Sequence, residues 1–200
     1  MSEADLAAGA RRLRERTDRA IVGLFGGTLL EVGQFLYRID QFLMMLAGEP
    51  ERVEAFLDKL VELHLARLER YLALVGKHID IIVFGDDLGM QTGPQMSPAM
   101  YRRIFKPRHK ALWTRAKQLA GVKVMLHCCG GVREILRDLL EAGLDAINPV
   151  QVSCSGMDAG ELKREFGKDI VFWGGGCDTR EVLPSKRPED VAAHVRKQVA

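Results

Sequence analysis

The chain has 200 residues, 47% of them hydrophobic and 28% charged, enough for one domain with a substantial buried core. Its 29 Lys and Arg against 27 Asp and Glu leave a net charge of +2, which gives no electrostatic ground for nucleic acid or an anionic membrane as partner. No apolar run approaches the roughly 18 residues of a membrane span, and the opening Met1-Ser-Glu-Ala-Asp-Leu6 lacks the apolar stretch of a secretory signal, so the expectation is a cytoplasmic protein with a small-molecule substrate.

In chain order, five short apolar runs read as strands: residues 21–25, 79–84, 122–126, 146–150 and 170–173. Between the first two, Val53, Phe56, Leu57, Leu60, Val61, Leu65, Leu68 and Leu72 recur at helical spacing and form a face that covers a sheet. After the second strand, Ser97 and Pro98 read as the N-cap and first residue of a helix that Gly121 ends, with Pro107 predicting a kink inside it. The next helix passes through Leu139 and Leu140 and stops at Gly143, and Asp158 with Glu161 predicts a capping box for a short helix closed by Gly167. A last helix opens near Pro188 and runs through Val191, Val195 and Val199. This alternation predicts an α/β domain over residues 1–200 with parallel strands, and by itself leaves an open doubly wound sheet and a barrel both standing.

Polar clusters follow four of the strands: Gly26-Gly27-Thr28, Gly85-Asp86-Asp87, Cys128-Cys129-Gly130-Gly131 and Gly174-Gly175-Gly176-Cys177-Asp178. In parallel α/β proteins the C-terminal strand ends are where ligands bind. Along residues 122–130 the side chains alternate, so Val122, Val124, Leu126 and Cys128 share one side and Lys123, Met125, His127 and Cys129 the other. An imidazole and a thiolate two positions apart at a strand end can chelate one ion, and zinc suits both donors. Spacing leaves open that His127 is a hydrogen-bonded histidine and both cysteines are small apolar fillers. Cys177, after another strand, is the best-placed third ligand within the chain, or else a tight-turn residue after three glycines.

Asp86 and Asp87 end the second strand, where one carboxylate facing the mouth would serve as base, acceptor or ligand, or where both cap the loop before Leu88. Gln151, Gly175 and Asp178 occupy comparable mouth positions as candidate substrate contacts, the glycine run permitting an anion-cradling nest or a simple turn. The candidate catalytic set is therefore Asp86, Asp87 and His127, and the candidate metal set His127, Cys129 and Cys177.

Several segments together resemble the uroporphyrinogen decarboxylase superfamily, in particular its corrinoid-linked methyltransferase-like branch. They are Gly23-Leu-Phe-Gly-Gly27, Asp86-Asp-Leu-Gly-Met-Gln91 through Ser97-Pro98, Leu126-His-Cys-Cys-Gly130, Ile147-Asn-Pro-Val-Gln151 and Phe172-Trp-Gly-Gly-Gly-Cys-Asp-Thr179. The resemblance implies a partial (β/α)8 TIM barrel of about five of eight βα units, matching strands 3 to 7, since a closed barrel takes about 250 residues. It implies zinc held by His127 and Cys129, with the family's later cysteine near the eighth strand, so that Cys177 is not its obvious equivalent. It also implies methyl transfer between a corrinoid on a partner protein and a thiol or small acceptor. The family's decarboxylases use an arginine-rich motif and an aspartate in segments without a counterpart here, so neither Asp86 nor Asp87 inherits that role. Tetrapyrrole decarboxylation is the alternative activity. A third expectation is an inactive fragment, a homo-oligomer, or a subunit completed by another chain.

Overall fold

The computed structural model describes residues 2–184 and 186–199, so Met1 and Ala200, the ends of the expected 1–200 domain, and Ser185 lie outside the described residues. Five parallel strands, β1 (Val22–Gly26), β2 (Ile81–Gly85), β5 (Lys123–Cys128), β6 (Ala146–Pro149) and β7 (Val171–Phe172), pair in strictly sequential order. A two-stranded antiparallel hairpin, β3 (Gly89–Met90) and β4 (Gly93–Pro94), sits in the loop after β2. Sequential order resolves the alternatives left by the pattern. A doubly wound sheet reverses its strand order at a switch point, whereas this arrangement never reverses and forms the wall of a partial (β/α)8 barrel.

All five strands fall where the apolar runs predict them, with no end shifted by more than two residues. The helices pack on the outer face. The longest, α4 (Pro50–Val75), buries Val53, Leu57, Leu60, Val61, Leu68 and Leu72 along one stripe, each such side chain contributing about 1.5–3 kcal/mol when fully buried. Ahead of it lie α1 (Glu3–Arg16), capped by Ser2, and the helix pair α2 (Leu30–Tyr37) and α3 (Ile39–Gly48). After β5 comes α7 (Arg133–Glu141), after β6 α8 (Ala159–Phe166), and after β7 α9 (Pro188–Val199).

Two expectations are corrected in detail. The helix from Ser97 is not one kinked rod: a single turn, α5 (Pro98–Met100), leads into a π-helical turn at Tyr101–Phe105 and then α6 (Lys106–Ala120), where Pro107 stands in the first turn. A proline has no N–H to give, so it is tolerated only where the previous repeat has already been broken. Asp158 caps α8 as predicted, accepting from the Glu161 N–H at 2.8 Å, but the Glu161 carboxylate turns to Arg133 instead of closing the box. No helix among the described residues is long and apolar enough to cross a membrane.

The inner face of the wall carries Val22, Leu24, Val83, Met125, His127, Asn148 and Trp173 around an opening of about 400 Å³.

Candidate metal centre

The upper ends of three strands are level: Gly85 pairs with His127, and His127 with Asn148. As the alternation along β5 predicts, Val124, Leu126 and Cys128 are buried under helices, while His127 emerges on the inner face. His127 Nδ1 lies 2.6 Å from Asn148 Oδ1, and Asn148 Nδ2 donates to the Trp173 carbonyl at 3.2 Å. A carbonyl oxygen only accepts, so the amide nitrogen must face Trp173 and the amide oxygen the imidazole. In the neutral ring the proton therefore sits on Nδ1, and Nε2 presents its lone pair 3.7 Å from Cys129 Sγ.

Cys129 is held from the other side, its N–H donating to Asp87 Oδ1 at 2.7 Å. Asp87, His127 and Cys129 each bring one ligand atom, and these atoms all lie within 4.8 Å of one another. Bonds of about 2.0–2.3 Å to a tetrahedral zinc separate donors by roughly 3.3–3.8 Å, so small side-chain rotations close this set around one ion. The donor chemistry fits: an imidazole with a fixed tautomer, a thiol and a carboxylate. Burial, and then the neighbouring Asp87 carboxylate, push the Cys129 thiol up to about 11. A divalent cation would reverse that balance by favouring the thiolate.

The predicted residues divide. His127, Cys129 and Asp87 come together. Asp86 does not face the opening: fully buried, it accepts from the backbone N–H groups of Leu30 at 3.1 Å and Glu31 at 3.2 Å. Adjacent residues leaving a strand point to opposite faces, so only one of the two aspartates reaches the centre. Cys177 is outside the cluster, its Sγ directed to the Asp178 carbonyl at 3.7 Å, because the chain after β7 folds into its own turn. Asp178 serves that turn, accepting from the N–H groups of Glu181 at 3.0 Å and Arg180 at 2.8 Å, which in that order hold its carboxyl below the ordinary value.

Gly175 gives its N–H to the Pro149 carbonyl at 3.0 Å, and that donor is thus not free to cradle an anion. Gln151 supports the centre from behind, its Oε1 accepting from the Gly130 N–H next to Cys129. Two further groups escape sequence reasoning. Asn148 lies in the quoted Ile147–Gln151 motif, but its partnership with His127 depends on strand register. Glu31, in the first turn of α2, has its carboxyl raised by burial and by Asp86 and Asp87, while the Asp87 N–H and His127 act the other way. An acid just after Gly26-Gly27-Thr28 was the only available signal.

A solved structure of a methyltransferase from Methanosarcina mazei superposes with a TM-score of 0.57 at 18% identity, covering 98% of this chain and 64% of that one. The chain thus spans a little under two thirds of that protein's length, and the likeness is one of fold. No curated protein matches the sequence. Residues 7–200, nearly the whole chain, match the family described as uroporphyrinogen decarboxylase (URO-D), and the chain belongs to that family.

Proposed function

We propose that this chain carries the metal centre of a zinc-dependent methyltransferase, moving a methyl group in the cytoplasm between a corrinoid on a partner protein and a thiol or other small acceptor. The observation that supports this reading is the chain of hydrogen bonds from Trp173 through Asn148 to His127, which frees Nε2 beside Cys129 and Asp87. His127 Nε2, Cys129 Sγ and a carboxylate oxygen of Asp87 would hold the metal. Zinc bound there would supply Lewis acidity that lowers a thiol's pKa and yields thiolate at neutral pH.

The remaining roles belong to the protein's own groups. Asn148 fixes the imidazole tautomer, and Gln151 with Asp87 fixes the backbone on either side of Cys129. Val22, Leu24, Val83 and Met125 give the opening an apolar lining against which an acceptor's body would rest. Among the described residues around the opening there is no Lys or Arg, so this part of the lining offers no counter-charge to the carboxylates of a tetrapyrrole. Decarboxylation also leaves the Asp87, His127 and Cys129 cluster without a purpose.

Elemental analysis of protein produced with zinc supplementation tests the reading. One zinc per chain is expected, lost in His127→Ala and Cys129→Ser, whereas Asn148→Ala keeps the ligands and weakens chelator-competed affinity by about 10–100-fold. Wild-type protein that retains no zinc would refute the proposal.

A further inference from the structure

Behind the candidate centre lies a buried polar chain that no ligand role uses. Tyr101, in the π-helical turn, and His109, on α6, are both buried, and Tyr101 Oη lies 3.1 Å from His109 Nδ1. His109 Nε2 lies 3.2 Å from Asp86 Oδ2. An ionised carboxylate only accepts, so His109 donates from Nε2 and, as a neutral ring, accepts the Tyr101 O–H at Nδ1. The ring plane is pinned by Trp113, stacked at 4.9 Å and 4°. Asp86 then accepts from three donors: His109 and the first two N–H groups of α2.

Asp86 is also tied directly to the centre. Its backbone N–H donates to the His127 carbonyl at 3.0 Å, and its next neighbour is Asp87. The helix terminus it caps carries Glu31, whose carboxyl is influenced by Asp87 and His127. A straight α-helix through residues 98–120 would change the angular offset between Tyr101 and His109. The extra residue of the π-helical turn sets that offset.

We propose that His109, oriented by Tyr101, is a positioning residue for the metal centre: through Asp86 it fixes the start of α2 and the Asp86-Asp87 peptide, and so places Glu31 and Asp87 beside His127 and Cys129. This goes beyond the ligand assignment and rests on the proposed metal only for its consequence, not for the linkage itself. Outer partners of this type commonly change metal affinity by about 10–100-fold.

Two measurements on the 200-residue chain separate the linkage from the metal. In metal-free protein, hydrogen exchange at the Leu30 and Glu31 amides is expected to accelerate about tenfold or more in His109→Leu, because the cap loses a charge-assisted partner. His109→Gln, whose amide nitrogen can take the place of Nε2, should restore most of the protection. If His109→Leu does not fold, Tyr101→Phe removes only the hydroxyl and should give a smaller acceleration at the same two amides. Unchanged exchange at both positions in the folded variants would overturn the linkage, whatever the metal result.

The second measurement is cobalt(II) titration, read by the thiolate-to-cobalt absorption band and by chelator competition. Wild type and His109→Gln should share one spectrum, and His109→Leu should bind at least about tenfold more weakly with a shifted band. Leu139→Ala, a buried change on α7, should lower thermal stability without moving the spectrum. If the exchange effect is found but wild type shows no cobalt band, the zinc reading falls and the positioning of α2 stands. If cobalt binds identically in wild type and His109→Leu, the proposed role at the centre is refuted.

Discussion

At the lower end of the sheet, Asp80 does for β1 and β2 what Asp86 does above. Its Oδ2 accepts the Ile21 N–H at 2.7 Å and pairs with Arg14 of α1, joining the first helix to the first two strands. The Ile21 N–H, and after it Arg14, hold the Asp80 carboxyl below its ordinary value. The unfolded chain therefore binds the proton first. The resulting stability is present above the unfolded value of about 3.9 and is lost as pH falls through the lower folded value. Both side chains are partly exposed, so solvent screening limits the contribution to about 0.5–1 kcal/mol. Urea denaturation should show Asp80→Asn less stable than wild type at pH 7 by that amount, with the gap closing toward pH 2. A gap that stayed constant with pH would mean that Asp80 acts through shape and not charge.

Among the elements, the loops place the chemistry, and their glycines show how tightly. Gly130 has φ 86°, and a Cβ there would stand 2.2 Å from the Gly89 carbonyl carbon, where the loop after β5 crosses the β3–β4 hairpin. Gly121, the C-cap of α6 at φ 64°, has open space where its Cβ would go. Gly121→Ala should therefore cost only the left-handed penalty of about 1–2 kcal/mol. Gly130→Ala adds overpacking against backbone that cannot yield, for a total of about 2–5 kcal/mol, and by displacing Cys129 should also abolish metal uptake. Equal denaturation midpoints for the two variants would contradict this close approach. The same elements mark what could be read in advance. Apolar runs located every strand of the wall, and alternation along residues 122–129 separated His127 from Cys128, because both follow from local chain geometry. The α2–α3 pair and α1 were not among the expected elements, and the Asn148 partnership with His127 depends on parallel register, which is set by crossover helices far from either residue.

Across the 200 residues as a whole, the inner face of the barrel wall is open to solvent. On that face Leu24 is 76% exposed and Trp173 47%, and β1 and β7 end the sheet with one unpaired side each among the described residues. Parallel strands are ordinarily covered on both faces, and exposed apolar rows beside open edges favour association. Sequence composition gave no sign of this, because the same apolar residues would read identically inside a closed barrel; only the strand count hinted at it. The 200-residue chain is therefore expected to self-associate in sedimentation velocity, with the weight-average coefficient rising over a tenfold increase in concentration. Leu24→Gln combined with Trp173→Gln should reverse that rise while leaving thermal stability nearly unchanged, since neither side chain is packed in the core. Reversal would place the contact on the inner face, next to His127, and predict that association and metal access compete. A concentration-independent monomer with a single cooperative melt would instead mean that the open wall is stable in water on its own, with the outer helices supplying the whole core.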